Sequence, residues 1–129
     1  MEHNALNTVV KIAGLGFRAQ ATVASLRSAL QAAGAHGISA LATAEDKAHA
    51  PALRQLAAEL GLPVLAVPLA TLQQQAANAS PHAPARYGGH SLAEAAALAA
   101  AGIGAQLITA RGVSTDRMAT AAIAENTRL

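Results

Sequence analysis

The side chains available to build a core in this chain are mostly small. Hydrophobic residues make up 53% of the 129 residues, but many of these are alanine, and the aromatics are one Phe, one Tyr and no Trp. A chain of this length can bury a core without disulfide bonds. It contains no cysteine, which excludes thiolate metal sites and cysteine nucleophiles. The core must therefore be built from Ala, Leu, Ile and Val, and we expect its helices and strands to pack closely.

Short apolar runs that are typical of strands alternate along the chain with Ala/Leu-rich runs of helical spacing. The predicted strands are residues 8–13, 37–42, 63–67, 105–110 and 117–124. The predicted helices are residues 22–33, 51–60, 71–77 and 91–101, and residues 78–89 form a long loop. This alternation predicts one domain, residues 1–129, of the α/β class. We expect a three-layer α/β/α fold whose sheet has about five strands and is mixed but mostly parallel, with a closing hairpin.

Two glycines, Gly14 and Gly16, stand between the first predicted strand and the first predicted helix. Glycines at such a turn let the backbone approach a ligand, and a helix N-terminus attracts anions. The spacing also matches the G-x-G-x-x-G/A dinucleotide fingerprint. A Rossmann domain, however, needs more strands and an acidic residue about 20 positions further on. The alternatives at this point are an anion-binding turn and a tight turn that needs glycine for its geometry alone.

A second polar feature follows the second predicted strand, where Glu45, Asp46, Lys47 and His49 lie within five residues. The cluster is either a solvated turn with a weak local ion pair or a group of acid/base and ligand-orienting side chains. Loops that follow parallel strands meet at one edge of the sheet. We therefore expect the glycine turn, this cluster and the 78–89 loop to lie together, with Arg111 near them.

Several classes of partner are unfavourable on composition. The nine Lys and Arg residues are scattered and only two aromatics are present, which does not suit nucleic-acid binding. The N-terminus has no signal-peptide pattern, and the apolar stretch of residues 95–108 is too short and too interrupted by glycine for a membrane span. We therefore expect a cytoplasmic protein. His49, His82 and His90 have no metal-ligand spacing, so neither a metal nor another cofactor is predicted.

Four segments in this order resemble the CobE proteins of cobalamin biosynthesis, which are related to the C-terminal domain of CbiG. The segments are residues 13–18 (AGLGFR), 41–47 (LATAEDK) followed by Pro51 and Leu53, 59–63 (ELGLP) and 91–98 (SLAEAAAL) followed by AAAG. The resemblance covers nearly the whole chain. The family usually has Cys where Phe17 stands, Asp at Glu45 and Lys at Arg111. The missing thiol argues against a covalent role at position 17.

The resemblance implies work on corrin-ring intermediates, which are flat apolar macrocycles fringed with carboxylates. One expectation is an accessory or carrier protein that binds a precorrin or a hydrogenobyrinic-type intermediate, together with contacts to other enzymes of the cobalamin pathway. The alternative is a hydrolase that opens a lactone or ester, since CbiG is associated with opening a δ-lactone and releasing a two-carbon fragment. A surface of small residues surrounded by cations and helix N-termini would suit such a ligand.

The residues assigned to this site combine the cations, the glycines and the polar side chains at the expected edge. The predicted ligand-binding residues are Gly14, Gly16, Arg18, Thr43, Lys47, Arg86, Gly89, Ser91 and Arg111. Ser91 is interpreted mainly as the cap of the helix that follows it. Glu45 and His49 are the candidates for acid/base catalysis if there is turnover.

Overall fold

The computed structural model describes residues 8–74, 92–109 and 111–128. Six strands and four helices occur in these residues. In chain order they are β1 (Thr8–Phe17), α1 (Val23–Ala32), β2 (Ala40–Ala44), α2 (Pro51–Leu60), β3 (Val64–Val67), α3 (Leu69–Gln74), α4 (Leu92–Ala101), β4 (Gln106–Leu107), β5 (Gly112–Val113) and β6 (Ala119–Arg128). Strands and helices therefore alternate as far as β3, as the sequence pattern predicts.

The described strands form one mixed sheet with the order β3-β2-β1-β6-β4, and β5 also pairs with β6. The pairs β1–β2 and β2–β3 are parallel. The strand β6 is antiparallel to β1, β4 and β5. Five of the six described strands thus point the same way and β6 runs against them, which confirms the expected mixed, mostly parallel sheet.

Helices cover both faces of the sheet. On one face, Leu26 of α1 and Leu56 of α2 pack on a fully buried cluster that includes Leu15 and Leu41. On the other face, α3 and α4 pack on a second cluster that includes Ile12. The alternation of neighbouring β1 residues between the two clusters follows from the two-residue period of a strand. The three-layer α/β/α arrangement is confirmed.

The helix α4 lies very close to the sheet. Six of its ten residues are buried, and five of those six are alanines. A Cβ atom built on Gly14 would lie 1.9 Å from the carbonyl oxygen of Ala93 and 2.7 Å from the backbone nitrogen of Ala97. The backbone of the helix therefore rests on the backbone of β1, which is the close packing that the shortage of large side chains predicts.

The predicted glycine turn is wrong. Gly14 and Gly16 are buried within β1, which continues to Phe17, and they pair with Ala122 and Thr120 of β6. At Gly14, α4 occupies the space that a Cβ would need, whereas at Gly16 the nearest atoms would lie 3.2 and 3.3 Å from a Cβ. The turn between β1 and α1 consists instead of residues 18–22, which we call the β1–α1 loop.

The C-terminal strand has a larger role than its sequence indicates. The closing hairpin is present, but a short additional strand, β5, precedes its turn, which is residues 114–118. The strand β6 starts at Ala119, reaches Arg128 and pairs with β1 over ten positions. The last strand of the chain is consequently an inner strand of the sheet.

Candidate functional site

An open cavity of about 840 Å³ lies where β1 and β2 end, between the β1–α1 loop and the connection from β2 to α2. We call it the β1–β2 cavity. One side is formed by Phe17, the β1–α1 loop and the first residues of α1. The other side is formed by residues 46–55. The described lining is Phe17, Ala19, Ala21, Thr22, Val23, Ala24, Asp46, Lys47, His49, Ala50, Pro51, Ala52 and Gln55.

The cavity arises where two neighbouring parallel strands separate. The ladder between β1 and β2 ends at the pair Gly14–Ala42. Beyond it, the buried Thr43 hydroxyl donates to the carbonyl oxygen of Leu15 at 2.8 Å. The carboxyl ends of parallel strands are where α/β proteins bind ligands, because the connecting loops leave a crevice there.

Lys47 is the cation that the structure places in this crevice. Its Nζ donates to the carbonyl oxygen of Phe17 at 2.9 Å and lies 5.2 Å from the centroid of the Phe17 ring. The ring and the carbonyl hold the half-buried ammonium over the end of β1. An ammonium has three donors, and among the described residues the carbonyl of Phe17 is the acceptor that Lys47 contacts.

The N-terminus of α2 contributes a second electropositive feature. Its N-cap residue, Ala50, makes no side-chain cap hydrogen bond, Pro51 occupies the first turn, and no acidic residue lies there. The N–H groups of Ala52 and Leu53 therefore have no side-chain cap, and Ala50, Pro51 and Ala52 line the cavity. His49 stands beside them at the surface, with its Nδ1 3.3 Å from a guanidinium nitrogen of Arg54.

Two residues of the predicted site lie near the cavity but do not line it. Thr43 is fully buried, and its hydroxyl donates to the carbonyl oxygen of Leu15. The Glu45 carboxylate points to the next connection, where its Oε2 accepts from the backbone N–H of Leu69 at 3.2 Å, at the start of α3. The Glu45 carboxylate thus contacts the start of a helix on the opposite face of the sheet.

The remaining predicted residues divide into two groups. Arg18 and Arg111 are exposed and described, but neither lines the cavity; Arg111 directly precedes β5, which lies across β6 from β1. The other group, Arg86, Gly89 and Ser91, lies outside the described residues. Among the residues predicted from sequence, the structure brings Lys47 and His49 together in the cavity.

Phe17, Asp46 and Gln55 line the cavity and were not assigned to the site from sequence. The sequence pattern ended the first strand at residue 13, so it did not mark Phe17 as the last residue of β1. Asp46 belongs to the polar cluster that the sequence displays. Gln55 lies four residues after Pro51, on the same face of α2.

A hydrogen-bonded network beside the cavity is also absent from the sequence prediction. The Asp116 carboxylate accepts from the hydroxyls of Ser114 and Ser25, both at 2.6 Å, and from the backbone N–H of Met118 at 3.0 Å. These donors, the Ser114 hydroxyl first, lower the pKa of Asp116 below its ordinary value. Ser25 belongs to the first turn of α1, and its hydroxyl also contacts the Thr22 hydroxyl at 3.1 Å.

Two negative observations concern the described part of the chain alone. No three His, Cys, Asp or Glu side chains within it are grouped in a way that could hold a metal ion. In the same residues, no helix combines the length and apolar character that crossing a bilayer requires.

Comparison with known proteins identifies the family of the chain. Residues 11–124 match the family model described as "Cobalamin synthesis G C-terminus". The crystal structure of CobE, a protein from the cobalamin (vitamin B12) biosynthetic pathway, is 33% identical, with a TM-score of 0.76 over 92% of this chain and 94% of that one. The cobalamin biosynthesis protein chiG from Agrobacterium tumefaciens str. C58 is 38% identical, with a TM-score of 0.69 over 89% of this chain and 97% of that one. The comparison with curated proteins returned no match. The chain therefore belongs to the cobalamin synthesis G C-terminus family of cobalamin biosynthesis proteins.

Proposed function

We propose that this protein binds a corrin-ring intermediate of cobalamin biosynthesis in the β1–β2 cavity, as an accessory or carrier protein. The observation that carries the proposal is the cavity itself, an open, mostly apolar site with a held ammonium at the ends of two parallel strands. Its volume of about 840 Å³ lies within the usual range of small-molecule sites. Membership of the family supports the choice of a corrin as the ligand.

The apolar part of the lining suits the face of a macrocycle. Alanines contribute five of the lining residues, and Phe17, Val23 and Pro51 add larger apolar surface. Small side chains let a wide, flat ligand approach the backbone without a deep pocket. Burial of apolar ligand surface contributes roughly 25 cal/mol per Å² before the costs of association are subtracted.

The polar part of the lining suits the carboxylates that fringe such a ring. Lys47 offers its ammonium group, and the uncapped N-terminus of α2 offers backbone N–H groups nearby. Both features favour an anion at the same side of the cavity. The Asp46 carboxylate also lines it and would repel a second anion placed next to it.

The lining supports binding without turnover better than hydrolysis. The Nδ1 of His49 contacts the Arg54 guanidinium, and no carboxylate among the described residues orients the imidazole as a base. Glu45 is held at the start of α3 and does not line the cavity. The hydrolase alternative remains as one outcome of the experiment below.

Titration of the protein with hydrogenobyrinic acid, a corrin that carries free carboxylates, tests the proposal. We expect the visible spectrum to shift on binding while the mass of the ligand stays unchanged. Lys47→Met should raise the Kd by about 10- to 100-fold, because a hydrogen bond to a charged group is worth about 1.5–3 kcal/mol. Binding by the wild-type protein should weaken with salt, and less so in this variant.

Lys11→Met is the matched control, because Lys11 lies in the first half of β1, away from the cavity, and the variant loses the same charge. Equal Kd values for the two lysine variants would contradict the placement of the site. No spectral change with the wild-type protein would contradict corrin binding, and loss of a fragment from the ligand would indicate hydrolysis.

A further inference from the structure

The β1–α1 loop, residues 18–22, forms one wall of the cavity and is attached at both ends to the 114–118 turn. At its start, the backbone N–H of Arg18 donates to the carbonyl oxygen of Met118 at 2.9 Å. At its end, Thr22 and Ser25 form a capping box, and the Ser25 hydroxyl donates to Asp116 at 2.6 Å. Two attachments from one distant turn therefore fix both ends of this wall.

Between these attachments the loop is held by bonds within itself and to α1. The N–H of Ala21 donates to the carbonyl oxygen of Arg18 at 3.0 Å, and the N–H of Thr22 donates to the Ser25 hydroxyl at 3.1 Å. From the other wall of the cavity, Lys47 donates to the carbonyl oxygen of Phe17, the residue before the loop. In the described part of the chain, no hydrogen bond from that wall reaches residues 18–22 themselves. The 114–118 turn is thus the external support of this loop.

Asp116 supports the turn together with two backbone hydrogen bonds, from the N–H of Ser114 to the carbonyl oxygen of Ala119 and from the N–H of Arg117 to that of Ser114, both at 2.9 Å. The two carboxylate oxygens accept from different serines, Ser114 and Ser25, each only 2% exposed. The Ser114 hydroxyl oxygen in turn accepts from the N–H groups of Met118 and Ala119, both at 3.0 Å. Arg117 has a φ of 62°, a left-handed conformation that is costly for a residue with a side chain. Such a conformation persists when its surroundings fix it.

We infer that Asp116 is a positioning residue for ligand binding: it does not line the cavity but sets the place of the β1–α1 loop that does. The inference rests on the proposed function, because the proposed function supplies the corrin ligand that the loop would contact. Loss of the carboxylate would remove the hydrogen bond from Ser25. It would also loosen the turn, whose Met118 carbonyl accepts from the N–H of Arg18. The wall would then have to be ordered when the ligand binds, at a cost in affinity.

The test compares Asp116→Ala and Asp116→Asn with Glu125→Ala, which removes a carboxylate from the other end of β6. The first readout needs no ligand: amide hydrogen exchange at Arg18, Ala21 and Thr22. We expect exchange at these amides to accelerate in Asp116→Ala while the amides of β1 stay protected. Asp116→Asn should lie between Asp116→Ala and wild type, because one oxygen still accepts from a serine hydroxyl.

The second readout is the Kd for hydrogenobyrinic acid, which should rise by about tenfold in Asp116→Ala and stay unchanged in Glu125→Ala. If Asp116→Ala does not fold, the same two comparisons are made with Asp116→Asn. Unchanged exchange at the three amides, or an unchanged Kd despite faster exchange, would overturn the inference. If the wild-type protein does not bind the probe, the proposed function fails, whereas the exchange measurement still decides whether Asp116 holds the loop.

Discussion

Replacing Gly14 with alanine is expected to push α4 away from the sheet. The new Cβ would lie 1.9 Å from the Ala93 carbonyl oxygen, whereas ordinary contact begins at 3.4 Å. It would also lie 2.7 Å from the backbone nitrogen of Ala97. Because both atoms belong to the helix backbone, no change of rotamer can relieve the clash. The helix would have to retreat by about 1.5 Å from a close-packed contact.

Overpacking of a core typically costs about 1–3 kcal/mol, and the rigidity of the neighbours here places Gly14→Ala near or above 3 kcal/mol. For a chain of this length, a loss of this size lowers the Tm by about 10–15 °C. Gly16→Ala is the matched comparison, because its Cβ would meet side-chain atoms, Thr120 Oγ1 at 3.2 Å and Leu92 Cβ at 3.3 Å. A shift of the Thr120 hydroxyl and a movement of a few tenths of an ångström at Leu92, the first residue of α4, relieve these contacts. Together with the lower entropy of the unfolded chain, this should keep the cost of Gly16→Ala below about 1 kcal/mol.

The free energy of unfolding of both variants is measured by urea unfolding, with the m-value checked to be unchanged, and the Tm by thermal unfolding. A Gly14→Ala variant that is no less stable than Gly16→Ala would refute the packing explanation. If Gly14 served a ligand instead, Gly14→Ala would lower affinity for the corrin probe in a protein of undiminished stability. The two explanations therefore predict opposite results for one substitution.

Three further predictions concern single hydrogen-bonded side chains. Thr43→Val should lower the free energy of unfolding by about 1–3 kcal/mol, because it leaves the buried carbonyl of Leu15 without its donor, and Thr43→Ser should restore it in urea unfolding. The lowered pKa of Asp116 gives stability that is complete above its ordinary value of 3.8 and is lost as the pH falls through the lower, folded-state pKa. Below about pH 4, urea unfolding of Asp116→Asn should therefore lose stability less steeply than wild type. Asn126→Ala should cost about 1–2 kcal/mol and accelerate amide exchange in the last turn of α4, because Asn126 Nδ2 donates to the carbonyl of Ala101 at 2.9 Å.

The helices were the most predictable part of the fold, because their ends are marked by local chemistry. Thr22 caps α1 with the hydroxyl expected at that position. Pro51 opens α2, and Gly61 ends it with a φ of 68°, a conformation that favours glycine. Each of these signals acts within a few residues, so the sequence alone displays it.

The strands were less predictable, because a strand ends where its partner stops pairing. The strand β1 continues through Gly14 to Phe17 because β6 lies beside it over ten positions. The last part of β6 contains Glu125 and Asn126, which do not alternate with apolar residues in a recognisable way. The extent of each of these two strands depends on a partner strand more than 100 positions away in the sequence, which no local pattern contains.

The candidate site divides in the same way. The polar cluster after β2 could be recognised in the sequence, and it supplies Lys47 and His49 to the cavity. Asp116 could not be recognised, because its partner Ser25 is 91 residues away and a Ser-Thr-Asp segment is an ordinary turn. Local clusters predict which residues line a site, whereas the contacts that hold those residues are long-range.

The two glycines of β1 explain why one sequence signal can carry two meanings. A G-x-G pattern after an apolar run predicts a backbone that something approaches closely, but not what approaches. Here α4 approaches, and it presents Ala93 and Ala97, four residues apart on one helix face, to Gly14. A chain with few large side chains fills its interior by bringing backbones together, so a strand glycine facing an alanine pair is what such a composition requires. The shortage of large side chains was therefore the more reliable guide to Gly14. The β1–β2 cavity is lined by residues of α1 and α2, which pack on the face of the sheet opposite to α4.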